Sequence, residues 1–265
     1  MAHRPRKRFG QHFLHDARVI AGILRAMDPR PGQTVVEIGP GLGALTLPLL
    51  ERLGELHVVE LDRDLVPALA ARTVGKGRLH IHQADATRFD FRPLAPPGAR
   101  IRVVGNLPYN VSTPLLFHLL DQLDAIEDLH LMLQKEVVQR MAATPGGRDY
   151  GRLSVMVQWR CRVEPLFHVG PGAFRPPPRV TSTVVRLVPH PAAPFEVHDP
   201  RLFAQVVAAA FSQRRKTLRN ALAALAGETA IRGAGLDPGA RPEQVPPAGF
   251  ARLANRLAAR TAPGG

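Results

Sequence analysis

Cysteine is all but missing from this chain, with one residue, Cys161, in 265. A single thiol excludes an internal disulfide and any zinc site built on cysteines, and it fits a reducing cytoplasm. Long apolar runs are missing too. No stretch approaches the ~18 residues of a membrane span and no signal-peptide core stands at the start, so no membrane partner is expected. Acid is scarce: 22 Asp and Glu face 35 Lys and Arg, a net charge of +13 with a pI near 11.3. That imbalance points to a polyanionic partner, most simply nucleic acid, with an acidic membrane surface as the alternative. Apolar content of 45% and charged content of 22% are ordinary for a globular protein. The length suits one large domain or a main domain with a small one, and no internal repeat is visible.

The most informative stretch is the apolar run 101–104 followed by Gly105-Asn106-Leu107-Pro108-Tyr109. The run reads as a buried parallel strand, and ligands in open α/β sheets bind outside the carboxyl ends of such strands. A plain turn is the alternative, since Asn and Pro are both common turn residues. The chemical reading starts from an aromatic amine such as N6 of adenine, whose lone pair is delocalised into the ring. The Asn106 side-chain oxygen and a backbone carbonyl, that of Leu107, would accept both amine hydrogens. Those acceptors favour the pyramidal, increasingly positive nitrogen of an attack transition state. Pro108 stiffens the loop, and Tyr109 offers a face on which a base stacks. No general base is required, because the methylated amine sheds its proton readily. The motif needs a methyl donor beside it.

Residues 34–43 supply a strand running into the glycines Gly39, Gly41 and Gly43. A helix over about 44–53 follows, with Pro48 early enough to be tolerated and Gly54 as its stop. Such glycines let a backbone approach a ligand, but the spacing Gly39, Gly41, Ala44 also passes a relaxed dinucleotide fingerprint. A second strand, 56–59, ends at Glu60, placed for both hydroxyls of a ribose. A third, containing 80–82, is followed by Asp85-Ala86, where a carboxylate can accept from an adenine amino group. An acid after a strand is more often a cap or a solvated turn. Three such sites on one sheet edge, with Glu37 just ahead of the glycines, describe a pocket for S-adenosylmethionine in preference to NAD. No metal is expected.

Residues 1–15 are basic and carry no helical period, with Arg4, Arg6, Lys7 and Arg8 preceding Phe9-Gly10-Gln11-His12-Phe13-Leu14. A solvated arm is the ordinary reading, but the apolar residues beside the charges suit a segment that docks. Asp16 is placed to cap a helix with a buried stripe of Val19, Ile20, Ile23, Leu24 and Met27. Further on, helices are expected at 114–120 and from Lys135, and strands at 129–133, 154–162 and 180–188. Phe174 lies in the stiff proline loop 171–179, either buried in a rigid connector or forming a second wall of a base pocket. Residues 188–194 read as a linker. Beyond it, 202–226 is strongly helical, with Phe203, Val207, Phe211, Leu218, Leu222 and Leu225 on one side. A last helix covers about 247–260. Arg214, Arg215, Lys216 and Arg219 form either a solvated face or an RNA contact. The expected organisation is an α/β, Rossmann-like methyltransferase sheet with helices on both faces over 1–190. A small helical domain for RNA or ribosome recognition follows over 191–265.

The order Gln11-His12-Phe13-Leu14, Glu37-Ile38-Gly39-Pro40-Gly41-Leu42-Gly43, Glu60, Asp85 and Asn106-Leu107-Pro108-Tyr109 resembles the ribosomal RNA small-subunit adenine dimethyltransferase family. The match continues through Leu133-Gln134-Lys135-Glu136, Tyr150-Gly151-Arg152-Leu153-Ser154, Phe174-Arg175-Pro176-Pro177-Pro178-Arg179-Val180 and Arg214-Arg215-Lys216, and so covers nearly the whole chain. The resemblance implies methyl transfer from S-adenosylmethionine to the N6 amines of two adjacent adenines. These lie in the hairpin loop near the 3′ end of 16S rRNA, and a monomer would act in the cytoplasm on an immature small subunit. By the same carry-over His12, Leu14, Gly39, Glu60, Asp85 and Asn106 contact the donor, with Gln11, Glu37, Gly41, Gly43 and Ala86 completing its pocket. Asn106 also faces the target amine. His12 stands where many relatives have Asn, which shifts its contact to the backbone.

Three rivals remain at this point. Sister enzymes of the macrolide-resistance type act on 23S rRNA and share most motifs, but they usually carry Ile where Leu107 stands. The basic run at 213–220 also suits the small-subunit branch. Some relatives are organellar transcription factors that bind nucleic acid without methyl transfer; only ten residues precede Gln11, which leaves no room for a transit peptide. An NAD oxidoreductase is opposed by the amide-proline-aromatic loop and by the absence of a second nucleotide-binding half.

Overall fold

The structure, a computed structural model, describes residues 11–213 and 215–261. In chain order Phe13–Leu14 is β1, Ala17–Met27 α1, Val35–Ile38 β2, Thr46–Leu53 α2, Glu55–Glu60 β3, Val66–Thr73 α3 and Arg78–Gln83 β4. Ile101–Asn106 is β5, Ser112–Leu120 α4, Ile126–Gln134 β6, Lys135–Ala142 α5, Arg152–Arg160 α6, Cys161–Val169 β7, Phe174–Arg175 β8 and Ser182–Pro189 β9. Pro200–Ser212 is α7, Leu218–Ala221 α8, Glu228–Gly233 α9 and Pro247–Thr261 α10. Two compact units result: one takes in the chain up to Val138 and Glu164–Pro189, the other Gln139–Val163 and the residues from His190 onward. Among the described residues no helix is long and apolar enough to cross a membrane.

The first unit is built on a sheet of order β4-β3-β2-β5-β6-β9-β7. Neighbours from β4 to β6 are parallel, and β9 lies antiparallel to β6. β2 is buried at every position, as a strand covered on both faces must be. The strand order reverses between β2 and β5, which is where such sheets open a crevice for ligands. Close approach at that point depends on Gly105: a Cβ there would sit 2.6 Å from the Ile38 carbonyl oxygen. On the flank, the Asp16 carboxylate accepts from the N–H groups of Arg18 (2.8 Å) and Val19 (3.1 Å), so α1 starts where a cap allows it. Its Ile23, Leu24 and Met27 enter the core, with Val19 and Ile20 packed at the margin. α2 begins at Thr46, slightly later than expected, because the preceding residues stay in turns.

One buried ion cluster ties the parallel strands together. Arg102 on β5 donates from Nε and Nη2 to Asp128 on β6, at 2.9 and 2.8 Å. Arg186 on β9 donates to the same carboxylate at 3.2 Å. Burial alone would raise the Asp128 carboxyl, but hydrogen bonds from Arg102 and the surrounding cations hold it below its ordinary value.

The second unit takes in more than the chain beyond residue 190. The 154–162 stretch is not a strand: it forms α6, and the strand begins only at Cys161. Ser154, Val155, Met156, Val157 and Trp159 are all buried, so burial covers most sides of the helix and leaves no clear amphipathic period to read. Packing overrides the β preference of its Val and Trp residues. Gln158 Nε2 donates to the Met141 and Ala143 carbonyls at 2.8 Å, filling acceptors that the end of α5 leaves open. Trp159 meets Phe203 edge-on at 5.1 Å, and the Tyr150 hydroxyl donates to the Val245 carbonyl at 2.9 Å. The expected single helix over 202–226 breaks after Ser212 and resumes as the short α8. The supposed linker is also pinned, with His190 N–H donating to the Arg160 carbonyl at 3.1 Å.

Candidate methyl-donor and base site

The loops at the carboxyl ends of β2, β3, β4 and β5, with the segment around β1, enclose a cavity of about 360 Å³ within the first unit. Gln11, His12, Leu14, Glu37, Gly39, Gly41, Glu60, Asp85, Ala86 and the loop Asn106, Leu107, Pro108 and Tyr109 all line it. Gly43 and Phe174 are not among its lining residues. Gly43 instead closes the turn, its N–H donating to the Pro40 carbonyl at 2.8 Å with φ at +80°. Phe174 is 2% exposed on β8, which pairs antiparallel with β1, and its ring belongs to the core. In this structure Phe174 matches the buried-connector alternative, its ring belonging to the core cluster that includes Leu14, Ala173 and Val184.

The acids differ in state. Glu60 accepts from Gly41 N–H (3.2 Å) and Asp62 N–H (2.8 Å), one on each oxygen. Burial raises its carboxyl and these backbone donors offset part of the rise. Glu37 is buried more completely, and its Oε2 has no hydrogen-bond partner among the described residues. Burial pushes its carboxyl up to about 8, with Thr46 offsetting and Glu60 adding to the rise. Asp85 is the ordinary case: the Thr87 hydroxyl (2.7 Å) and N–H (2.9 Å) both bind Oδ1 and hold it low, leaving Oδ2 for another donor.

Two buried acids with unmet capacity beside a glycine turn suit a cationic ligand with hydroxyls. They oppose a pyrophosphate, particularly as the Gly41 N–H is already committed to Glu60. The residues therefore fit S-adenosylmethionine and not NAD.

At the end of β5 the Asn106 amide nitrogen donates to the His12 carbonyl at 2.9 Å. That bond orients the amide and keeps its oxygen for a different donor. The His12 backbone carbonyl thus holds Asn106, while its ring bonds the Pro176 carbonyl at 2.8 Å and stacks on Tyr109 at 5.5 Å. Leu107 N–H is fixed on the Met132 carbonyl at 3.2 Å, and the Tyr109 hydroxyl on Ser182 at 2.7 Å. The loop is thus held at both ends.

Sequence reasoning missed two groups. Asp62 is buried, and its Oδ2 accepts from Gln11 Nε2 at 2.9 Å, joining the N-terminal segment to the β3 loop. His130 is 1% exposed, lines the cavity, and lacks a hydrogen-bond partner on either ring nitrogen among the described residues. A polar residue inside the apolar run Leu129-His130-Leu131 was the available signal. Of the tail cations, Arg215 and Lys216 are exposed and Arg219 pairs with Glu228 at 2.9 Å. Arg214 and the arm residues Arg4, Arg6, Lys7 and Arg8 lie outside the described residues.

Residues 2–259 match the profile of the family described as ribosomal RNA adenine dimethylase. A Pseudomonas aeruginosa protein named ribosomal RNA small subunit methyltransferase A is 59% identical over 256 residues, covering 97% of this chain and 96% of that one. A Nitrosococcus oceani protein of the same name is 58% identical over 247 residues, covering 92% and 93%. Among solved structures, a Plasmodium falciparum dimethyladenosine transferase superposes with a TM-score of 0.76 at 24% identity, covering 91% of this chain and 96% of that one. The 23S rRNA methyltransferase ErmE gives 0.70 at 27% identity, covering 93% and 99%.

Proposed function

The chain belongs to the ribosomal RNA adenine dimethylase family, and on that footing we propose that it transfers methyl groups from S-adenosylmethionine to adenine N6 in small-subunit rRNA. The observation that carries the reading is the Asn106 amide, oriented by the His12 carbonyl at the end of β5 on the wall of a cavity suited to a cationic donor. Glu60 and Asp85 take the ribose hydroxyls and adenine amine of the donor, and Glu37 Oε2 takes one of its cationic groups. Gln11, Leu14, Gly39, Gly41 and Ala86 shape the same pocket, with Gly43 holding the turn behind it. When bound, the donor supplies an electrophilic methyl on sulfonium sulfur.

Asn106 and the Leu107 carbonyl accept the N6–H groups of the target, which pushes electron density onto nitrogen as it becomes positive. Pro108 limits the loop to one shape and Tyr109 supports the base from one side. The product ammonium gives its proton to water. Two adjacent adenines in the 3′-terminal hairpin loop of 16S rRNA are the target, reached in an immature subunit by a cytoplasmic monomer. The first unit carries the chemistry and the helical second unit, with Arg215 and Lys216, contacts RNA.

Asn106→Ala is the test. Losing one preorganised acceptor costs about 10²–10³ in rate, read by single-turnover methylation of immature subunits at saturating donor. A near-normal rate would reduce Asn106 to a turn residue.

A further inference from the structure

The outer pair of parallel strands carries a second cluster of ligating side chains, away from the cavity. Glu55 and His57 are two residues apart on β3, and His80 and His82 are two apart on β4. The register pairs His57 with His80 and Val59 with His82. Strand alternation then brings all four side chains to one face. The His57 and His80 rings stack at 4.5 Å with 13° between their planes, and the His57 and His82 rings at 5.3 Å and 10°. His57 Nδ1 lies 3.0 Å from His82 Nε2, and His80 Nε2 lies 2.6 Å from Glu55 Oε1. One ligand atom each from Glu55, His57 and His80 falls within 4.8 Å of the other two.

Two imidazoles and a carboxylate are the donor set that borderline divalent ions prefer, and three protein ligands leave a fourth position for water. We propose that Glu55, His57 and His80 bind one divalent transition-metal ion of the zinc class across β3 and β4, with His82 as a positioning residue. His82 acts through His57: accepting the His57 Nδ1 proton at Nε2 leaves His57 Nε2 as the lone pair for the metal, the usual outer-shell arrangement.

Tetrahedral zinc with bonds of about 2.0–2.1 Å holds its donors about 3.4 Å apart. The cluster must therefore contract, by tilting two stacked rings toward a common point. Glu55 is exposed and both rings are half-buried at the sheet edge, so the movement needs no change in the core. The bound ion would clamp the two strands whose ends carry Glu60 and, two residues past β4, Asp85.

Calorimetric titration of tag-free full-length protein with zinc chloride at neutral pH tests the proposal. One equivalent should bind. His57→Gln and His80→Gln should each weaken binding by more than 100-fold, and His82→Gln by about 10–100-fold, the usual cost of an outer-shell change. His198→Gln, at an exposed histidine outside the cluster, should change nothing. Wild type that binds zinc no better than the His57→Gln/His80→Gln double variant overturns the site. Cobalt(II) added to wild type reads the same ligands without any substitution. A visible ligand-field spectrum saturating at one equivalent and erased by zinc supports them, and a spectrum no different from cobalt in buffer overturns them.

Discussion

Replacing Glu37 by glutamine should change how the protein tolerates alkali, and the size of the effect follows from the cavity floor. The side chain is 3% exposed, and burial lifts its carboxyl from 4.5 to about 8. The native state therefore keeps a proton that the unfolded chain has already lost at any pH between those values. Unfolding in that window releases the proton, so stability falls as pH rises, by up to about 1.4 kcal/mol per pH unit. The contribution is fully present below the unfolded value of 4.5 and is lost as pH climbs through about 8. Summed over the window it amounts to at most about 5 kcal/mol, reduced by whatever relaxation or hydration the site allows.

Glutamine keeps the shape and cannot titrate. His130 works in the opposite sense: pushed down to about 4, it stays neutral in the native state and its contribution is lost as pH falls below 6.5. The wild type minus Glu37→Gln difference cancels that term. Urea unfolding of both proteins across the window is the assay, and parallel curves would refute the account of Glu37. Saturating S-adenosylmethionine should flatten the wild-type curve, because a cationic group beside Oε2 favours the ionised carboxylate.

Asp128→Asn leaves the Arg102 guanidinium buried opposite a neutral amide and should cost about 3–5 kcal/mol, seen as a lower urea midpoint with an unchanged m-value. Phe174→Ala should remove about 3–5 kcal/mol of core packing, lowering Tm while donor affinity in the folded protein stays near normal. Abolished methyl transfer at an unchanged Tm would return that ring to the base pocket. Neutralising Arg215 and Lys216 should leave donor binding intact and flatten the salt dependence of RNA binding by about one unit of log–log slope for each phosphate that is no longer neutralised, measured by filter binding. Parallel slopes would leave these two charges in solvent.

The donor cavity was legible because each acid lies at or just past the carboxyl end of its strand, and parallel strands bring those ends to one edge. Glu37, Glu60, Asp85 and Asn106 are spread over 70 positions, yet all line one cavity. Legibility failed where burial is uniform. α6 is buried on most sides, so its Val155, Val157 and Trp159 offer the alternation of a strand. Phe174 failed for a different reason: a proline-flanked aromatic has the same local sequence whether it faces a base or the core, and only the pairing of β8 with β1 decides. Asp62 and His130 were passed over because their roles depend on Gln11 and on neighbouring strands, which no short-range pattern encodes.

The first unit is discontinuous, and that fixes the order in which a nascent chain can complete it. Its five parallel strands have all been made by Gln134, but the next strand to join them, β9, begins only at Ser182. Until then β6 is a bare edge presenting Leu129, Leu131 and Met132, the kind of edge that recruits other chains. The segment bearing Gln11 and His12 waits as well, since its β1 anchor pairs with β8 at Phe174–Arg175. A chain halted near residue 138 therefore holds the glycine turn, Glu37, Glu60, Asp85 and Asn106, but no fastened wall to enclose a donor. Competence to bind arrives late, together with protection from self-association.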